Sequence, residues 1–396
     1  MCNMDFFKVH FWADVMKLPQ WGAMRSTVEN SPWHREANTS VHTAMTIHEY
    51  TRKINTGAWK RTEREQLITL LALLFHDFGK PEAEEVVQKT DGSGDVYRRY
   101  AGHEAVSANE FMNVMCDNPD LVKSLFSRGL TWDDIRIVKF MIENHLPYGM
   151  TNAQKRSDLA TAISCTLKDD VQCFFDMLRC DAAGRISDDH PEKLQNVENW
   201  INEFILVPVK QLQEPHAAPT MMVLVGPSGA GKSTFTKKFL EENPEFQIVS
   251  EDEYRLEYAE LNMNHVDFAE RINMTESQWY DAAWHFCHMV DEKGYNAFVK
   301  KKYDDVLARR TNFILDRTNR SKKQRLKWSR EPIQKGYHVI TVEFFISENK
   351  LNDRQKTRGD KFLSAKQVHE QVFSMSVPWV GVEAHKFQII HPGEVQ

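Results

Sequence analysis

The chain reads as two unlike halves, an all-α half followed by an α/β half built on a parallel sheet. Three observations predict this. From about residue 33 to 206 apolar residues recur mostly at helical spacing, broken once by a short β-like stretch. Residues 208–219 carry three prolines and little apolar periodicity, the composition of a linker. Beyond them, the apolar runs Met221–Val225, Gln247–Val249, Asn312–Leu315 and Val339–Phe345 alternate with helical segments, the order that builds a parallel sheet flanked by helices. A chain of 396 residues is too long for one ordinary core. The expected divisions are therefore 1–207, 208–219 and 220–396.

Composition narrows the class. Hydrophobic residues make up 41% and charged residues 27%, as in a water-soluble globular protein. No apolar run approaches membrane-spanning length and the N-terminus lacks a signal pattern, so no membrane partner is expected. The six cysteines form no C-x-x-C pair, which argues against a zinc ribbon or disulfide framework and for a reducing cytoplasm. A net charge of −6 disfavours a broad nonspecific grip on nucleic acid, yet Lys300–Lys302, Arg309–Arg310 and the stretch Arg317 to Arg330 are locally basic.

In the first half, Leu70 to Phe75 is an apolar helix ending in the adjacent pair His76-Asp77, followed by Phe78-Gly79-Lys80-Pro81. His42 precedes it and Asp181 follows, each in a separate helical segment. Imidazole and carboxylate from three helices can close round one divalent ion and leave positions open. His103 and His145 could hold a second metal or contact phosphate. The β-like stretch, Val86–Thr90 and Val96–Tyr100 around Asp91–Asp95, reads as a hairpin that delivers the chain to His103 and walls the metal site. Lys80 and Arg185 are placed to hold a phosphate. Lys80 could equally sit near the helix C-terminus and complement its dipole.

The second half opens on Gly226-Pro227-Ser228-Gly229-Ala230-Gly231-Lys232-Ser233, followed by Thr234. This is the G-x-x-x-x-G-K-[ST] pattern, and it lies between a buried strand and the opening of a helix. Glycines turn backbone N–H groups toward phosphates, and the helix N-terminus adds partial positive charge. Lys232 would reach the β/γ-phosphates and the Ser233 hydroxyl would ligate Mg²⁺. The implied ligand is ATP or another nucleoside triphosphate.

Past the second strand, Asp252 can take a proton from an attacking hydroxyl and Arg255 can bind a neighbouring phosphate; the plainer alternative is a helix N-cap with an ion pair. Thr318 and Asn319 end the third strand beside the same crevice. Arg354 and Arg358, four apart, share a helical face that can close over the triphosphate. The aromatics between Glu257 and Lys302, among them Tyr258, Phe268, Trp279, Tyr280, Trp284 and Tyr295, are expected mainly to pack.

The order His42, His76-Asp77, Asp181 with its local phrases resembles the HD-domain phosphohydrolase superfamily, which implies metal-dependent hydrolysis of a phosphate ester. The metal is left open among Mn²⁺, Ni²⁺, Co²⁺, Fe²⁺, Zn²⁺ and Mg²⁺. The glycine loop with Asp252, Arg255, Arg354 and Arg358-Gly359 resembles the polynucleotide 5′-kinase family, which includes the phage enzyme that repairs nicked RNA. That family's D-T-N phrase is only partly kept, as Arg317-Thr318-Asn319 with Asp316 one step early. Together the halves resemble the HD-Pnk type of RNA end-healing enzyme. The resemblance implies that the second half phosphorylates 5′-OH ends of RNA, or of DNA, with Asp252 as base. The first half would remove 2′,3′-cyclic, 2′- or 3′-phosphates, and a separate RNA ligase would be the pathway partner. The alternative is a nucleoside or metabolite kinase fused to an HD nucleotide phosphohydrolase.

Overall fold

The computed structural model describes residues 12–31, 34–88, 96–147, 152–187, 190–207, 209, 211–215, 218–263, 270–358 and 362–391. The expected hairpin turn Asp91–Asp95, Phe268 and Gly359 lie outside the described residues. The chain forms two compact units, Met1–Gln211 and Leu212–Gln396.

The first unit is helical: α1 (Trp12–Val15), α2 (Pro19–Ser26), α3 (Thr39–Asn55), α4 (Glu63–Phe75), α5 (His103–Asp117), α6 (Pro119–Phe126), α7 (Trp132–Glu143), α8 (Ala153–Leu167), α9 (Val171–Ala183) and α10 (His190–Leu206). Helix α4 is the central rod. A Thr62–Glu65 capping box starts it, and every residue from Leu67 to Phe75 is buried, so it must be packed on all sides. Arg64 pairs with Asp134 and Asp170, tying the first turn of α4 to α7 and to the 3₁₀ turn Lys168–Asp170 before α9.

This half is not all-α. Strands β1 (Val28–Ser31) and β2 (His34–Asn38) pair antiparallel, as do β3 (Glu85–Gln88) and β4 (Val96–Arg99). The second pair is the expected hairpin. The first, made of polar residues such as Glu29, Arg35 and Glu36, has no apolar alternation to announce it.

The second unit is a five-stranded sheet in the order β6-β7-β5-β8-β9, parallel throughout. Its strands are β5 (Thr220–Val225), β6 (Gln247–Ser250), β7 (Phe313–Asp316), β8 (His338–Phe344) and β9 (Lys386–Ile390). Period-two geometry explains why β5 is apolar along its length. Met221, Val223 and Val225 enter one core with Tyr254, Tyr295 and Phe313, while Met222 and Leu224 enter another with Ile314, Phe344 and Val368. Strand β9 is an edge strand of mixed polarity that the apolar runs did not predict. The flanking helices are α11 (Lys232–Glu242), α12 (Glu251–Asn262), α13 (Glu276–His285), α14 (Glu292–Arg309), α15 (Lys322–Gln334), α16 (Glu348–Lys356) and α17 (Ala365–Phe373), with a π-helical turn at Phe286–Val290. Arg325, 1% exposed, pairs with Glu383 at 2.6 Å and donates to the carbonyls of Asn319, Arg320 and Ser376. It fastens the loop after β7 to the segment before β9.

No helix among the described residues is long and apolar enough to cross a membrane.

Candidate functional site

In the first unit six side chains converge. His42 comes from α3, His76 caps the end of α4 with Asp77 next to it, His103 opens α5, His145 follows α7 and Asp181 lies on α9. All six are buried. They divide into two sets of possible metal ligands, His42 with His76 and Asp181, and Asp77 with His103 and His145; within each set the ligand atoms lie within 4.8 Å of one another. Asp77 joins the two. Its Oδ2 is 3.2 Å from His76 Nε2 and 3.5 Å from His42 Nε2, and its Oδ1 is 3.2 Å from His103 Nε2 and 3.9 Å from His145 Nε2. The four ligands His42, His76, Asp77 and Asp181 expected round one ion are thus part of a six-residue arrangement with Asp77 at its middle.

The hydrogen bonds behind these rings settle their tautomers. Each Nδ1 faces a backbone carbonyl: His42 that of Gly184 (3.1 Å), His76 that of Leu73, His103 that of Tyr100 and His145 that of Ile142 (2.7 Å each). A carbonyl only accepts, so each Nδ1 carries a proton and each Nε2 is the nitrogen turned inward. Nε2 of His42 then meets Nε2 of His76 at 3.3 Å, and Nε2 of His103 meets that of His145 at 3.3 Å. Two ring nitrogens at that range, with carboxylate oxygens of Asp77 and Asp181 beside them, call for positive charge, supplied by a proton on Nε2 or by a metal ion. Ring N–H groups bonded to carbonyls with the second nitrogen aimed inward are the usual support of metal-bound histidine. The residues present therefore fit divalent ions.

Electrostatics agree. Burial pulls His76 down, but Asp77 and Asp181 more than offset it and lift the imidazole to about 10. Burial, with His103 and His76 beside it, pushes His145 down to about 3. Burial would raise Asp77 and Asp181, yet His76 and Lys80 around the first, and Arg185 and His42 around the second, hold both carboxyls well below the usual range. The cluster is built to hold positive charge.

Lys80 is buried, with Nζ 2.8 Å from Glu29 Oε1 and 2.9 Å from Asp77 Oδ2. Arg185 donates to Asp181 Oδ2 at 2.7 Å. Both cations border a cavity of about 370 Å³ that Asp77, His103 and His145 also line, together with Tyr97, Arg98 and Tyr100 from β4 and its exit. Sequence reasoning missed Glu29 and Glu36. Glu29 holds Lys80 and Thr39, and Glu36 lies 3.6 Å from His42 Nδ1 while accepting from the Ile186 N–H. Both stand on the hairpin that apolar periodicity could not reveal.

In the second unit the loop from Gly226 to Ser233 joins β5 to α11. Gly231 caps α11 at φ 102° and Gly229 sits at φ 88°, conformations that a side chain would strain. Ser233 and Thr234 are exposed on the first turn and Ala230 is buried beneath it. Lys232 Nζ donates to the carbonyls of Gly226 and Pro227, each at 2.9 Å. Arg354 donates to the Gly229 carbonyl (2.8 Å) and Arg358 to Ser228 Oγ (3.0 Å), so both arginines reach the loop. They do not share a helical face. Arg354 lies on α16, whereas Arg358 lies beyond its C-cap, Thr357.

The C-terminal ends of β5, β7 and β6 share one edge of the sheet. The Gly226 N–H donates to the Thr318 carbonyl, and Arg317 pairs with Glu251 at 2.7 Å, linking the glycine loop through the β7 exit to the first turn of α12. Asn319 is buried at φ 46° and donates to the Leu224 carbonyl. Ser250, not Asp252, caps α12. Asp252 meets Arg255 Nη1 at 2.7 Å with about half of its side chain exposed (49%), while Arg255 is buried. Of the intervening aromatics, Tyr258, Trp279 and Tyr295 are core, Trp284 is 46% exposed, and Tyr280 reaches Asp252.

A glycine loop between the central strand of a parallel sheet and a helix, with its lysine and hydroxyls in place, defines a P-loop, kinase-like domain, and such a domain implies a nucleoside triphosphate with Mg²⁺. Residues 221–378 match a family model described as an AAA domain. No curated protein matches the chain.

Proposed function

We propose that this protein heals both ends of a broken RNA: its second unit phosphorylates a 5′-OH with ATP, and its first unit removes a 2′,3′-cyclic, 2′- or 3′-phosphate as an HD-type phosphohydrolase. The observation that carries the reading is the six-residue centre in which Asp77 turns one oxygen to each of two ligand sets, in one chain with a P-loop whose neighbouring crevice offers Asp252 beside Arg255.

In the first unit His42, His76 and Asp181 would hold one divalent ion and Asp77, His103 and His145 another, supplying Lewis acidity to a phosphate ester. Lys80 and Arg185 orient the phosphate from the cavity side, and the β4 wall limits what can enter. In the second unit Ser233 would ligate Mg²⁺. Lys232, Arg354 and Arg358 balance the triphosphate charge, Asp252 takes the proton of the 5′-OH, and Arg255 steadies the adjoining acceptor phosphate. Thr318 and Asn319 border that crevice. The product ends suit a separate RNA ligase.

The test uses one short RNA bearing a 5′-OH and a 2′,3′-cyclic phosphate, with ATP, Mg²⁺ and Mn²⁺, followed at both ends by mass spectrometry. Lys232→Ala loses only 5′ phosphorylation and Asp77→Ala loses only 3′ dephosphorylation. If wild type changes neither end with any of the six metals, the polynucleotide reading fails, and nucleosides and nucleotides become the substrates to screen.

A further inference from the structure

Helix α13 belongs to the aromatic segment that the sequence assigns to packing, and Trp279 and Ala283 do pack. Tyr280 does something else. Its hydroxyl lies 2.7 Å from Asp252 Oδ1 and 2.6 Å from Arg255 Nη1, and that same nitrogen lies 2.7 Å from Asp252 Oδ1. Three polar groups close a triangle. The proton count is unambiguous. The guanidinium donates one N–H to the carboxylate and one to the phenol oxygen, and the phenol donates its O–H to the carboxylate.

The triangle is mounted on rigid supports. The Arg255 guanidinium sits 5.4 Å from the Tyr280 ring centroid, so the ring itself faces the cation. The π-helical turn after α13 brings Cys287 Sγ to the Arg255 carbonyl, and from α14 the Tyr295 hydroxyl donates to the Glu251 carbonyl at 3.0 Å. The first turns of α12 are thus clasped from both following helices. A carboxylate on an otherwise half-exposed first turn would sample several rotamers; here donors from two helices fix one.

Resting on the reading of Asp252 and Arg255 as the acceptor groups of a kinase, we propose that Tyr280 is a positioning residue for 5′ phosphoryl transfer. The helical segment that follows Asp252 exists in part to bring its hydroxyl there. Tyr280 touches neither ATP nor the transferred phosphoryl group. It acts by holding Asp252 in line with the incoming hydroxyl and Arg255 at a fixed distance from it.

The experiment measures steady-state kinase kinetics of the full chain on a 5′-OH RNA oligonucleotide for wild type, Tyr280→Phe, Arg255→Lys, their double variant and Asp252→Ala. Tyr280→Phe keeps the ring and removes the hydroxyl. The expected result is a kcat lower by roughly tenfold, with a raised acceptor KM, an unchanged ATP KM and an unchanged melting transition. The double variant loses little more than the worse single variant, because both changes break one unit. Wild-type kcat and acceptor KM in Tyr280→Phe overturn the proposal, as does a loss that falls on ATP KM and melting instead. Strict additivity with Arg255→Lys overturns it too. Asp252→Ala separates the two claims: full activity there refutes the assignment of Asp252 itself, whatever Tyr280 does.

Discussion

Gly79→Ala is the most direct test of how the six-residue centre is assembled. Gly79 follows the His76-Asp77 pair where the chain leaving α4 meets the first turns of α5, and its N–H donates to Ser107 Oγ at 2.8 Å. A Cβ at this position would stand 2.5 Å from Ser107 N, 2.6 Å from His103 O and 2.6 Å from Val106 Cβ, against 3.4–4 Å for ordinary contact. Two of those atoms are backbone, so no side chain can swing away. The two segments must part by about 0.8 Å or more, and overpacking of this kind costs about 2–3 kcal/mol. His103 moves with α5, while Asp77, whose Oδ1 is 3.2 Å from His103 Nε2, stays with α4. Metal–ligand distances tolerate only about 0.2 Å. Gly79→Ala should therefore lower the unfolding transition that ATP does not shift by roughly 5–10 °C. It should also reduce Mn²⁺ retained after loading and desalting, measured by elemental analysis. Gly22→Ala is the matched control, since a Cβ there meets nothing within 4 Å and lies on α2, where alanine is the better helix former. Wild-type melting and metal content in Gly79→Ala would refute the close-approach argument.

Two further outcomes follow from other parts of the molecule. Arg325→Ala leaves Glu383 buried without its cation and unfastens the loop that carries Asn319; it should cost the second unit about 3–5 kcal/mol in a denaturant titration, and Arg325→Lys should not restore it, because one ammonium cannot replace the fork. Chelation should lower the melting transition of the first unit, and Mn²⁺ at a hundred times its dissociation constant should return about 2.7 kcal/mol, with Lys232→Ala responding identically.

How far the sequence reveals this molecule depends on which forces each part uses. The glycine loop and strands β5 to β8 are legible because burial on both faces demands continuous apolar runs and the loop demands glycine. His42, His76, Asp77 and Asp181 are legible as residue types in order, but the division of labour round Asp77 is not, since it depends on where five helices meet. Glu29 and Glu36 were hidden because a hairpin that stabilises a charged site is itself charged. Helical periodicity carries Arg358 onto the face of Arg354, but the helix stops at the cap, Thr357, one residue short of it. Tyr280 looked like one aromatic among many, and only its hydroxyl's partners distinguish it.

The cations of the glycine loop carry a consequence for how nucleotide is bound. Lys232 is bonded to two carbonyls of its own loop, and Arg354 and Arg358 are bonded to the loop's Gly229 carbonyl and Ser228 hydroxyl. Each of these groups is one that phosphates would claim. Nucleotide entry is therefore an exchange of bonds, loop oxygens being traded for phosphate oxygens, and the heat released measures a difference between two bonded states. The same exchange runs backward as nucleotide leaves, when the loop oxygens take back their cations.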